Sequence, residues 1–403
     1  MAPRFDVLIR AAVIPALALL APQVPAQSAE LLVSGYNSDT VHRFDATDGT
    51  ALGDLGSVPG AQSLRYGPDG QLYAVTEKSD RVLRFDGQTG AALGEFVADD
   101  PATPDDETGG LKTPTSGVFG PDGHLYVGSF DGDRVLRYDG TTGAYLGVFV
   151  TSGLGNLNGP DAGMDFGPDG HLYVPSFNNN RVLRFDGETG ASLGTFAAPQ
   201  AGTLSRPRSL RWRGDGLLYV TSWGNGRILR YDLAGDLVDV FASTPSPSGL
   251  AFGPDGHVYV ASDQNNAVRK HDGQTGVLLE IFIPGGTVDG ATYLEFLPDP
   301  ELRLGRPTPA QAGATAEVVV RNGDAGAPVF VGFSAGVSST PLGCPGAVTG
   351  LLDPLVLPFV ADGSGTLALV APVPLSLAGV TVTLQAFAPA SCRLSNLVLV
   401  TFG

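Results

Sequence analysis

The chain has 403 residues, including 56 glycines, 31 prolines and two cysteines. That length accommodates two domains. Its formal charge of −17 argues against nucleic acid or an anionic membrane surface as partner, and for a well-solvated surface.

The first predicted element is an export signal. Arg4 and Arg10 flank the start, residues 11–20 form an apolar core, and Val24-Pro25-Ala26 offers small residues for cleavage. The core is too short for a stable bilayer anchor. Residues 1–26 are therefore predicted to be removed. The mature chain would be secreted or extracytoplasmic, as in a bacterial periplasm or at the cell exterior, and without a transmembrane anchor.

Residues 27–300 repeat themselves. FGPDGHLYVGSFDGDRVLRYDGTTGAYLGVF starts at Phe119 and FGPDGHLYVPSFNNNRVLRFDGETGASLGTF at Phe166, with weaker copies from Tyr66, Trp212 and Phe252. The Asp of the PDG turn recurs at Asp69, Asp122, Asp169, Asp215 and Asp255, and in degenerate form at Asp299. Each copy reads as four short strands joined by Gly/Asp turns. Four strands in about 45 residues make a propeller blade. Five copies are complete and the sixth is split. Residues 31–55 match the second to fourth strands, and residues 292–297 match a first strand. Joined, they close a six-bladed ring and remove two unpaired strand edges.

This pattern, GPDGxLYV…RVLRFD…G over roughly residues 30–300, resembles the NHL-repeat propellers. It is also similar to the senescence-marker-protein/gluconolactonase and streptogramin-lyase-like propellers, near the TolB-like six-bladed group. The resemblance implies the fold. It leaves the activity open, because these groups include lactonases with a divalent cation in the channel, lyases, sensors and protein-binding platforms.

From Glu301 the repeat stops. Residues 301–403 carry short apolar stretches separated by Gly/Pro/Asp turns, which predict a small all-β sandwich. It looks like a C-terminal β-domain of exported bacterial proteins, with GCPG at Gly343–Gly346 and CRLSN at Cys392–Asn396. The only cysteines, Cys344 and Cys392, are expected to form a disulfide in an exported chain.

Candidate chemistry is sparse. His124, His171 and His257 follow PDG in three copies, which reads as turn chemistry, since equivalent positions in different blades are too far apart to share one metal ion. The recurring Arg43, Arg84, Arg137, Arg184 and Arg230 read as structural partners of the turn Asp residues, pairing from blade to blade. Recognition requires blades to differ, so the variable loops between second and third strands are the better guide. They carry Tyr36, Phe130, Phe177 and Trp223 among short polar residues, suited to a sugar or peptide; wedging of these rings between blades is the alternative. In ring order the residues before the first-strand aromatic are Glu295, Arg65, Val118, Asp165, Arg211 and Ala251. Asp165 and Glu295, with Asp161 and Asp289 in the preceding loops, are either partners of neighbouring arginines or the lining of a cation or substrate site. Oxygen ligands of this kind would suit Ca²⁺. No catalytic residue is assigned.

Three functions follow as expectations for a chain expected to be monomeric. The first is a non-catalytic binding or scaffold protein with a protein, peptide or carbohydrate ligand. The second is a divalent-metal-dependent lactonase or lyase-like enzyme. The third is a sensor or adhesion module anchored through the C-terminal domain.

Overall fold

The computed structural model describes residues 29–98, 107–199 and 203–297, and the strands lying between 303 and 401. The export segment, Cys344, Cys392 and the LPDP turn at Asp299 lie outside the described residues.

Six four-stranded antiparallel blades form the first unit. Blade 1 combines Ala291–Leu297 with Glu30–Gly35, Thr40–Asp45 and Ala51–Ser57. Blade 2 is Ala61–Tyr66, Leu72–Thr76, Arg81–Phe85 and Ala92–Val97, and blade 3 is Pro114–Phe119, Leu125–Ser129, Arg134–Tyr138 and Tyr145–Val150. Blade 4 is Asp165–Phe166, Leu172–Ser176, Arg181–Phe185 and Ser192–Ala197. Blade 5 is Pro207–Trp212, Leu218–Ser222, Arg227–Tyr231 and Leu237–Ser243, and blade 6 is Pro247–Phe252, Val258–Ser262, Ala267–His271 and Leu278–Ile283. The split repeat closes as expected: Leu31 lies opposite Phe296, Leu32 opposite Glu295 and Val33 opposite Leu294.

The repeated letters have specific jobs. In each PDG turn one Asp oxygen accepts the backbone N–H two residues on, and the other accepts the Tyr hydroxyl four residues on; in blade 4 His171 N and Tyr173 Oη bind Asp169 at 3.1 and 2.8 Å. That fixes the Tyr ring between two others. Tyr173 meets Phe196 of its own outer strand edge-on at 4.8 Å and Trp212 of the next blade at 5.2 Å. Such pairs contribute about 0.5–1.5 kcal/mol beyond area burial. The same arrangement crosses the seam, where Tyr259 of blade 6 meets Phe296 of blade 1 at 5.2 Å. The DGxTG glycine is required for close approach. Gly190 has φ +72°, and a Cβ there would lie 2.0 Å from the Phe149 carbonyl oxygen of the preceding blade. Gly49 repeats this contact against Phe282 across the seam.

The histidines after PDG are turn elements: Nδ1 of His124, His171 and His257 accepts the N–H of Gly140, Gly187 and Gly273 at 3.2–3.3 Å. The repeated arginines depart from expectation in two respects: Arg43 and Arg230 pair with the strand carboxylates of Glu30 and Asp239 and not with a turn Asp, and the pairs that do use a turn Asp stay inside one blade. Arg137 faces Asp122, and Arg184 faces Asp169, at 3.9 and 3.8 Å; both pairs lie within a blade. The Tyr–Asp contact holds each turn carboxylate over its own sheet, so the third-strand arginine reaches it without leaving the blade.

Beyond the ring the described strands form a three-stranded, a five-stranded and a two-stranded sheet. The apolar stretches around 315–321, 328–334, 355–360, 367–372, 381–388 and 398–401 are all strands, joined by Val337–Pro341 and Val348–Leu351, which the apolar pattern did not mark.

Candidate binding site at the propeller mouth

The loops between second and third strands share one frame. Each ends on a residue in the left-handed region: Asp39, Asp80, Asp133, Asn180, Gly226 and Asn266. Asp and Asn tolerate this conformation. Five of them also use their side chains to hold the next blade. Asp80 Oδ1 accepts Thr113 N at 2.8 Å, Asp133 accepts Gly159 N at 2.7 Å, and Asn266 accepts Gly290 N at 2.9 Å. The same contacts are made by Asp39 to Gly60 N and Asn180 to Arg206 N. This repeated brace leaves the first loop residue free to vary, and in ring order it is Tyr36, Glu77, Phe130, Phe177, Trp223 and Asp263.

These six residues divide the mouth into two sectors. On one side Phe130, Phe177 and Trp223 form a row of half-buried rings, with centroids 6.1 Å apart at each step. Arg206 lies over both Phe177 and Trp223. Here the rings join neighbouring loops. On the other side Tyr36, Glu77 and Asp263 border a cavity of about 360 Å³, lined also by Asn37, Gln62, Arg208, Gln264, Gly290 and Thr292.

This cavity is built on the closing seam. Tyr36 and Asn37 donate their N–H groups to the carbonyls of Gly290 and Asp289 at 2.9 and 3.1 Å. Asn37 Nδ2 also donates to Asp289 Oδ1 at 3.0 Å. The rim therefore unites the two ends of the propeller sequence. The floor comes from inner strands. Blade 4 contributes indirectly: Gly163 leaves its own sheet to pair in parallel with Ser209 of blade 5. That places buried Asp161 beside Arg208, whose Nε donates to it at 3.1 Å while Nη1 donates to Asp263 at 2.6 Å. Burial pushes the Asp161 carboxyl above the usual range, against the pull of Arg208. Burial also works against the Arg208 charge, but Asp161, Asp263 and Glu77 outweigh it and hold its pKa above the ordinary value. Glu77 accepts the Tyr36 hydroxyl at 2.9 Å and the Gln62 amide. Burial first, then Glu77, pushes the Tyr36 pKa up to about 12. Tyr36 is thus a neutral donor at physiological pH.

The predicted residues fall in three places. Tyr36 lines the cavity. Phe130, Phe177 and Trp223 lie in the opposite sector, although Trp223 Nε1 donates to both oxygens of Asp263 at 3.0 Å and so orients a cavity residue. Asp165 and Glu295 sit deeper, on the inner strands. Glu295 is 1 % exposed. Its carboxylate is gripped by Arg211 across the channel, and Arg65 lies 3.9 Å away. Arg65 also donates to the Met164 carbonyl and lies over the Tyr293 ring. Asp165 accepts Trp212 N at 3.1 Å. In the channel below the cavity Glu295 is buried between Arg65 and Arg211, and it does not open to the mouth.

A divalent cation does not fit these donors. At the mouth the guanidinium of Arg208 already stands between the carboxylates of Asp161 and Asp263, and in the channel Arg211 and Arg65 occupy Glu295. Among the described residues no three His, Cys, Asp or Glu side chains converge as a metal site.

No protein-family model and no curated protein matches the chain. Solved structures do. A chain of a nidogen/laminin complex is 16 % identical with a TM-score of 0.53, covering 67 % of this chain and 99 % of that one. A protein of unknown function from Bacteroides caccae is 13 % identical with a TM-score of 0.50, covering 67 % and 99 %. Streptogramin B lyase is 16 % identical with a TM-score of 0.43, covering 65 % and 76 %. At these identities the likeness is one of fold.

Gln62, Arg208 and Thr292 were not singled out from the sequence. They stand three residues before Arg65, Arg211 and Glu295 on the same inner strands. Comparing that second ring, which reads Thr292, Gln62, Thr115, Ala162, Arg208 and Ser248, shows one charged member among small or neutral ones.

Proposed function

We propose that the mature chain is an exported, non-catalytic binding protein that holds a small polar ligand in the seam cavity. The C-terminal strands would be a separate β-sandwich stapled by Cys344 and Cys392. The observation that carries the binding reading is the break in symmetry at the mouth. Five loops share a structural brace, yet only one sector converges the polar groups of Arg208, Glu77, Gln62, Tyr36, Asn37 and Asp263 on a concavity. A ring that only had to stand would have no need of this asymmetry. Cavities of a few hundred Å³ with a few convergent polar groups are the usual form of small-ligand sites. The lactonase or lyase-like reading would require a substrate to reach Glu295 through Arg65 and Arg211, and no observation favours it.

The test is a thermal-shift screen of the mature protein against monosaccharides, disaccharides and dipeptides, followed by calorimetry on any hit. Trp223→Ala should weaken binding about tenfold by releasing Asp263, a charge-assisted hydrogen bond being involved. His171→Ala, on the opposite face, should leave the affinity unchanged. Equal effects of the two substitutions, or ligand contacts at the PDG turns, would overturn the reading.

A further inference from the structure

The electrostatics of the cavity identify the kind of ligand more narrowly. Carboxylates outnumber cations around it. Arg208 is shared between Asp161 and Asp263. The other nearby ammonium, Lys78 Nζ, is taken by Asp39 Oδ1 and the Tyr36 carbonyl at 2.8 and 2.9 Å. Glu77 feels the Arg208 charge but makes no ion pair with it, and its hydrogen bonds come from two neutral donors, Tyr36 and Gln62. Asp289 at the rim is met by neutral Asn37.

A second, independent feature is Gln62. It lines the cavity, is 3 % exposed, and its Oε1 has no hydrogen-bond partner. The amide orientation follows from chemistry: a carboxylate only accepts, so the Gln62 nitrogen must face Glu77 and the oxygen must face away from it. A buried acceptor without a donor costs about 1–3 kcal/mol. A ligand that brings a donor removes that cost. The cavity thus offers negative charge and an unmet acceptor side by side, and it offers an anion little.

We propose that the ligand is a protonated amino sugar, its ammonium held by Glu77 and Gln62 Oε1 and its hydroxyls by Asn37 and Gln264. This rests on the mouth cavity being the binding site. A plain alkylammonium would leave the Gln264 amide and the Asn37 amide oxygen at the rim without a polar ligand group, and a uronic acid would meet repulsion from Glu77 and Asp263.

The experiment is calorimetry on the whole mature chain with glucosamine, glucose, N-acetylglucosamine and glucuronate, at neutral pH and low salt. Glucosamine should bind at least about tenfold tighter than glucose or N-acetylglucosamine, as expected for a charge-assisted hydrogen bond, and glucuronate should give no heat. Glu77→Gln should keep the melting temperature and reduce the preference to about twofold or less, because the amide keeps the shape but loses the charge. Equal binding of glucosamine and glucose, or a preference that survives Glu77→Gln, would overturn the amino-sugar assignment while leaving the cavity as the site. Absence of binding by all four sugars would overturn the assignment; the cavity reading falls with it only if the wider screen is also blank.

Discussion

Deletion of residues 291–297 should abolish cooperative folding of the whole propeller, and with it ligand binding. This strand is the inner edge of blade 1, and its removal leaves Glu30–Gly35 as an open edge. It also removes Tyr293, Leu294, Phe296 and Leu297, all fully buried. Burying one such side chain contributes roughly 1.5–3 kcal/mol, so their joint loss is comparable to the whole stability of an ordinary domain, about 5–15 kcal/mol. The damage reaches both neighbours. Phe296 packs on Tyr259 of blade 6, and Thr292 Oγ1 donates to the Ala61 carbonyl of blade 2 at 2.8 Å. Urea unfolding followed by circular dichroism should show no native baseline. A truncated chain that still melts cooperatively, near the parent temperature, would show that the five other blades stand alone.

Glu295→Ala should destabilise the fold by about 3–5 kcal/mol, the usual result of removing one partner of a buried ion pair. The two guanidiniums that share this carboxylate are themselves buried: Arg65 is 6 % exposed and Arg211 is 4 % exposed. Arg65→Met should cost less, because Glu295 keeps its closer partner Arg211. Chemical denaturation of the two variants measures the difference. A loss below about 1 kcal/mol for Glu295→Ala, the range of solvent-exposed pairs, would mean that the channel network is hydrated and does not seal the axis.

The ring was readable because each blade writes its structural contacts in the same letters. Asp169 with Tyr173 and Gly190 with Phe149 are local or neighbour-to-neighbour contacts, so a repeat exposes them. The split blade was readable for the same reason, since its missing first strand sits at the other end of the repeat. What resisted was geometry around the axis. Glu295 was expected to pair with the adjacent Arg65, yet it binds Arg211 more closely, passing over Ala251 of the blade between. A long side chain near the centre of a ring can bypass its neighbour, and linear order carries no record of that. The cavity was hidden for a related reason. Gln62 and Glu77 come from blade 2, Arg208 from blade 5 and Asp263 from blade 6, and they belong to no common motif. Tyr36 was legible as a departure from its equivalents, whereas Phe130 and Phe177, chosen by the same rule, serve to join loops.

The account stands or falls on where a ligand touches the protein. Amide hydrogen exchange of the whole mature chain, with and without the sugar that binds most tightly, measures this directly. The expected result is protection confined to the segments at Tyr36–Asn37, Glu77–Ser79, Asp263–Asn265 and Gly290–Thr292, on the seam side of the mouth. Protection centred on the PDG turns at Asp122, Asp169 and Asp215, with the seam segments unchanged, would contradict it.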